Sequence, residues 1–253
     1  MALMEFLEQN AVNTTTQMTA PSANTGTLAY LVDRNVNLGF TSVNYNTGTA
    51  IALGFTFSPA VTLSHVLIQN HNLKGFRLYY NSVTANSLSI VTQNSASTTY
   101  ISFATVTGIN SIDLQMDSTT VANNGEKAVG EIVFTERQLV FARNPSVDDW
   151  SPAILRKQIV HDMPDGGSKV YNIRDKYRTN LSWSFITQAF HDSLLAQYTA
   201  ALPLYFVPFP TTTAWSGAAY EVVWTGPFDF KHGDNSKDQG FSGSMELRQT
   251  AGG

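Results

Sequence analysis

The chain has no cysteine, so disulfides, thiolate metal sites and a thiol nucleophile are excluded and the fold must hold by packing alone. Charge is scarce as well: Asp, Glu, Lys and Arg supply 13% of 253 residues, against about 25% in an ordinary soluble domain. Thr, Asn, Ser and Gly fill the polar positions instead. A net charge of −4 without a basic run leaves no electrostatic footprint for a phosphate backbone, and nucleic acid is not expected as a partner. No apolar run approaches the ~18 residues of a membrane span, so none is expected. The opening MALMEFLEQN carries Glu5 and Glu8 and no basic lead, which argues against a secretory signal.

Catalytic signatures are missing too. The histidines His65, His71, His161, His191 and His232 stand apart, without HExxH or His-x-His spacing, and no GxSxG or phosphate-cradling glycine motif occurs. Asp234–Gly240 resembles half of a calcium loop. Gln239 holds its glycine position and Met245 its bidentate glutamate position, so a polar hairpin loop is expected there. Neither a metal nor another cofactor is expected, and the chain reads as not an enzyme.

What is present is period-two alternation. Val66–Asn70 and Phe76–Tyr80 alternate around the polar stretch Asn70–Lys74 and read as two arms of a hairpin, with Gly75 allowing the bend. Ile51, Leu53, Phe55 and Phe57 alternate with Ala52, Gly54 and Thr56. Leu28–Asn35, Phe40–Tyr45, Ser87–Thr92, Thr99–Val106, Ser111–Gln115 and Val129–Thr135 are further short runs between Asn, Ser and Gly turns, at the spacing of a β-sandwich. Phe76 is expected in its core. Residues 1–27, polar and turn-rich after their first ten, read as an N-terminal arm.

IALGFTF, VTLSHVLIQNHN, FRLYYNS and AVGEIVFTE, in that order, resemble the discoidin family (coagulation factor 5/8 type C, galactose-binding-like). Ala52 stands where that family usually has Asp before Leu-Gly. The resemblance implies a galactose-binding-like sandwich over residues 28–136, with ligand-binding loops at its ends.

Residues 137–150 change composition, and Pro145 breaks the pattern, so a linker is placed there. Ile154–His161 and Lys169–Ile173 read as strands around the turn MPDGG, Arg174–Arg178 as a solvated connection, and Leu181–Thr187 as a half-buried strand with Trp183 inward. Gln188–Ala200 is the one convincing helix. Phe190, Leu194 and Tyr198 recur at i, i+4 and i+8, Leu195 widens the stripe, Thr187 caps the start and Pro203 stops it. Leu204–Pro208, Tyr220–Trp224, Phe228–Lys231 and Phe241–Leu247 return to strands. Residues 151–253 therefore read as a β-barrel or sandwich with one packed helix, similar in element order to the tail-tube-like barrel of tail tube and distal tail proteins of long-tailed bacteriophages. The fold class is mainly β.

Binding candidates lie in polar loops: Asp33, Asn35 and Asn37 in one, Asn70, His71 and Asn72 in another, and Trp215 in PTTTAWSGAA. Together these features suggest a bacteriophage virion structural protein of the tail tip or baseplate, assembled in the host cytoplasm. The two resemblances imply a homo-oligomeric ring touching tail tube and hub proteins, with the N-terminal domain as an adaptor or a binder of carbohydrate or host surface. The alternative is a carbohydrate-binding module of a bacterial surface or polysaccharide-active system. A third is an enzyme whose site is not written in local sequence.

Overall fold

A computed structural model of the chain describes residues 3–12, 14–20, 25–33, 38–42, 50–82, 85–120, 126–145, 150–163, 167–208, 210, 219–233 and 240–250. In chain order its strands are β1 (Glu5–Leu7), β2 (Met18–Thr19), β3 (Phe40–Thr41), β4 (Ile51–His71), β5 (Leu73–Tyr80), β6 (Ser87–Val91), β7 (Thr99–Thr119), β8 (Ala128–Thr135), β9 (Arg137–Val140), β10 (Trp150–Asp162), β11 (Ser168–Ile186), β12 (Leu204–Val207), β13 (Tyr220–Gly233) and β14 (Gly240–Gln249), with helix α1 (Gln188–Ala200) between β11 and β12. They form two antiparallel systems, β3-β8-β4-β7-β5-β6 with β2 beside β4, and β10-β11-β14-β13-β12-β1-β9. No helix among the described residues is long and apolar enough to cross a membrane.

The first system is a sandwich organised by its two 21-residue strands, β4 and β7. Ile51–Thr56 pairs with Ser111–Met116, whose other neighbour is β5, while His65–Ile68 pairs with Thr99–Ser102 on one side and β8 on the other. Each long strand thus belongs to both layers. The register slips around Ser58-Pro59-Ala60, an exposed stretch where a proline cannot donate to a ladder. Inward residues such as Leu53, Phe55, Phe76, Leu114 and Phe134 fill one core, with Phe55 and Phe134 edge to face at 4.7 Å.

Three expectations for this half are corrected. Val66–Asn70 and Phe76–Tyr80 are strands but not a hairpin pair, because β7 lies between β4 and β5; alternation identifies a strand and its buried face without identifying its neighbour. The runs at Thr99–Val106 and Ser111–Gln115 are one strand, bent at Gly108 with φ 71°. Part of Leu28–Asn35 lies in a 3-10 helix, Thr25–Leu31, whose three-residue turn puts the buried Leu28 and Leu31 on one side.

The second system takes its strands from far apart in sequence. Glu5–Leu7, expected as part of an arm, lies between β12 and β9, and β9 comes from the stretch expected as a linker. Both faces of β1 are covered, Met4 and Phe6 by the core of this sheet and Leu7 by Leu67, Val133 and Tyr205 where the two halves meet. Arg174–Arg178, expected as a connection, lies within β11. There the β10–β11 pairing runs on past Arg178, where the pairing of β11 with β14 ends. Two expected strands join in β13 through Gly226, at φ 89°. Leu181 and Trp183 are buried as expected, but the register against β14 slips after Trp183, and Ile186 turns inward.

α1 covers this sheet with Phe190 and Leu194, while Leu195 stays 38% exposed instead of widening the stripe. The Thr187 hydroxyl accepts from the Phe190 N–H at 3.3 Å, and Ala201, at φ 52°, closes the far end by donating to the Tyr198 carbonyl. Thr187→Ala is expected to lower the unfolding free energy by about 1 kcal/mol, read from urea denaturation; an unchanged midpoint would mean that packing alone holds the helix start.

Candidate functional site

The loop residues singled out from sequence separate into two kinds. His71 is buried, and its ring is built into the sandwich: Nδ1 accepts from the Leu73 N–H at 3.1 Å, so Nε2 carries the proton and donates to the Thr99 hydroxyl at 2.9 Å. Burial lowers its pKa to about 4. Asn72 is likewise a knot in the backbone, accepting from Ala128 N–H at 2.9 Å and donating to the Glu126 carbonyl at 2.8 Å. Asn70, at φ 47°, and Asp33 are exposed. Asn35, Asn37 and Trp215 lie outside the described residues.

A second constellation joins residues that no local motif links. Where the halves meet, the buried Glu5 carboxylate accepts from the Tyr100 hydroxyl and, at 2.9 Å, from Arg137 Nε. The Arg137 guanidinium also lies 3.3 Å from His65 Nε2, and His65 Nδ1 lies 2.7 Å from the Ser64 hydroxyl, which accepts the Arg137 backbone N–H at 2.9 Å. Glu5 is 3.7 Å from His65 and would favour an imidazolium. Burial, and then the Arg137 charge, outweigh it and lower the His65 pKa to about 4. Tyr100 is pushed up by burial and by Glu5. Types that often do acid–base chemistry are here engaged with one another, with Glu5, Ser64 and His65 buried and the Arg137 side chain covering them from the half-open edge, and their work is to fix how the halves sit. Nearby, Tyr205 donates to Glu131 at 3.5 Å across the same junction.

The accessible chemistry is on the outer face of β5 and β7. Inward Ile112, Leu114 and Met116 alternate with outward Asp113, Gln115 and Asp117, and inward Leu78 with outward Arg77 and Tyr79. Register places Arg77 beside Gln115 and Tyr79 beside Asp113, with Ile90 of β6 flanking Arg77. Arg77 Nε meets Asp117 at 3.0 Å, and Gln115 donates to the same carboxylate at 3.0 Å. A hydrogen bond to Tyr79, and then Asp117, hold the Arg77 pKa above its ordinary value. The result is a row of planar donor and acceptor groups whose orientations are fixed by one another beside one aromatic ring. Such a surface matches adjacent hydroxyls with paired hydrogen bonds and a ring face with apolar contact. Sequence alternation held the signal; the missing piece was the β5–β7 register that places Arg77, Gln115 and Asp117 together.

No protein-family model matches the chain, and no curated protein matches it. Solved structures similar to it over about half its length include carbohydrate-binding modules. Chitosan-binding module 1 of a chitosanase/glucanase from Paenibacillus sp. IK-5 has 12% identity and a TM-score of 0.42, over 50% of this chain and 98% of that one. The family 32 carbohydrate-binding module of Streptococcus pneumoniae EndoD has 15% identity and a TM-score of 0.41, over 50% and 99%. The family 32 module of AlyQ, in complex with 4,5-unsaturated mannuronic acid, has 19% identity and a TM-score of 0.38, over 51% and 96%. At these scores the ligand has to be argued from this chain's own surface.

Proposed function

We propose that the protein binds carbohydrate without catalysis, a polysaccharide of a bacterial surface lying across the outer face of β5 and β7. The observation that carries this is the Tyr79–Arg77–Gln115–Asp117 row, open to solvent and joined by its own hydrogen bonds. The discoidin-like order of the strand motifs supports the same reading. Because the row points away from the core, Arg77→Ala and Tyr79→Ala are expected to leave the melting temperature nearly unchanged and to weaken polysaccharide binding at least about tenfold each. Calorimetry or affinity electrophoresis against soluble bacterial polysaccharides checks this. Equal binding by both variants, or no binding by the parent protein, overturns the reading.

A second reading rests on the β10–β11 ribbon. Its strand β10 is an edge of the sheet, and Ile154 at 69%, Val160 at 57% and Val170 at 53% are exposed on a two-stranded extension. Isolated ribbons and open edges are stabilised by partners. This supports a structural subunit that assembles with copies of itself, as a virion tail-tip or baseplate ring would, and carries the sandwich outward. Native mass spectrometry is expected to find a closed oligomer; a monomer at high micromolar concentration would remove this reading and leave the first intact.

A further inference from the structure

The last turn of α1 and the strands beneath it leave a cavity of about 440 Å3, with Tyr198, Leu202, Leu204, Val222 and Trp224 in its lining. A hollow of about 320 Å3 adjoins it, sharing Gln197, Leu202 and Leu204 and lined further out by Glu8 and Gln138. This cavity lies on the second sheet, with Phe6 of β1 in its lining, and shares no residue with the sandwich face.

Four features restrict what fits. The Tyr198 and Trp224 rings meet at 73° with centroids 5.3 Å apart, giving a flat apolar wall with a corner. The Trp224 indole N–H is buried and has no hydrogen-bond partner among the described residues, a donor whose desolvation is uncompensated until the ring turns to meet an acceptor. The final turn of a helix leaves carbonyls without intrahelical partners, and Gln197, Thr199 and Ala201 from that turn line the same cavity. Among the described residues no charged side chain lines the cavity itself, and the adjoining hollow carries Glu8.

An anion or cation would enter without a counter-charge, which burial penalises. A hydrocarbon chain would leave the indole N–H and the carbonyls unsatisfied. A neutral ring with an apolar face and a rim of hydroxyls satisfies all four features at once. We infer that the cavity between α1 and β12–β14 binds a neutral sugar ring, stacked on Trp224 or Tyr198, accepting from the indole N–H and donating to the helix-end carbonyls. This is a second glycan site, independent of the sandwich face.

The test follows the indole N–H signals of the whole protein by 15N NMR during titration with methyl glycosides of glucose, galactose, mannose and N-acetylglucosamine. Trp224→Phe identifies the Trp224 signal and keeps an aromatic wall. Leu202→Arg, at a position 58% exposed on the rim, obstructs the cavity without disturbing the core. At least one glycoside is expected to shift the Trp224 signal saturably. Read from the backbone amide signals of the same titration, which all variants keep, binding is expected to weaken about fivefold to tenfold in Trp224→Phe, to vanish in Leu202→Arg, and to stay unchanged in Arg77→Ala. No shift with any of the four overturns the inference, as does undiminished binding by Leu202→Arg. A shift with decanoate alone overturns it in favour of an apolar ligand. Failure here leaves the β5–β7 reading standing, because that reading is tested by the loss of polysaccharide binding in Arg77→Ala and Tyr79→Ala and not by this titration.

Discussion

Deleting residues 1–10 is expected to unfold the second sheet, and Phe6→Ala alone to lower the unfolding free energy by about 3–5 kcal/mol. β1 is three residues long, yet among the described residues it is the strand that links β12 to β9: Phe6 pairs with Phe206 on one side and Leu139 on the other. Its ring is buried 5.1 Å from Phe141 and 5.8 Å from Phe206. Phe141 in turn contacts Trp183 and Phe190, so removing Phe6 opens a void at the centre of the aromatic core, which close-packed neighbours fill poorly. Deletion also removes the Met4 carbonyl that accepts from Phe141 and the Glu5 carboxylate that binds Arg137. Near-UV circular dichroism and hydrogen exchange report on the second sheet separately from the sandwich. A truncated chain that keeps native exchange protection across β12–β14 would show that β1 is dispensable.

That strand also shows where sequence reading stops. Alternation in Ile51–Phe57, Phe76–Tyr80 and Leu181–Trp183 is a local signal, and it identified strands and the faces they bury; the cap at Thr187 and the helix after it were equally local. Pairing is not local. β7 inserts between β4 and β5, and β1 joins a sheet whose other members begin more than a hundred residues later. A three-residue strand holding Glu5 reads as polar until its partner Arg137 is placed beside it. The binding residues divide the same way: His71 and Asn72 looked free because their loop is polar, yet their hydrogen bonds go to β7, β8 and the loop before β8. The outer row became visible only with the β5–β7 register, and the cavity under α1 only with the packing of a helix on strands from elsewhere.

Acidification from pH 7.5 to pH 4.5 is expected to lower the unfolding free energy by about 2–3 kcal/mol for each of two histidines. His65 and His71 are buried in the folded chain with pKa values lowered from 6.5 to about 4. Between those values the unfolded chain binds protons that the folded chain refuses. The stability their neutral rings contribute is therefore whole above about pH 6.5 and drains as the pH falls towards 4. The groups facing His65 decide its sign. Glu5 pulls towards the cation at 3.7 Å, but burial and the guanidinium of Arg137 at 3.3 Å oppose it. For His71 burial is the cause, its ring lying beside Phe76 with both nitrogens engaged. Carboxylates titrate near the bottom of this window, so the parent slope is compared with that of His65→Gln and His71→Gln. Each variant is expected to be less stable at pH 7.5 and to lose less on acidification, by about 2 kcal/mol. Urea-unfolding free energies at four pH values between 7.5 and 4.5 give the slopes. Parallel slopes in parent and variants would mean that these rings accept protons in the folded state, and that the junction between sandwich and second sheet tolerates an imidazolium beside Arg137.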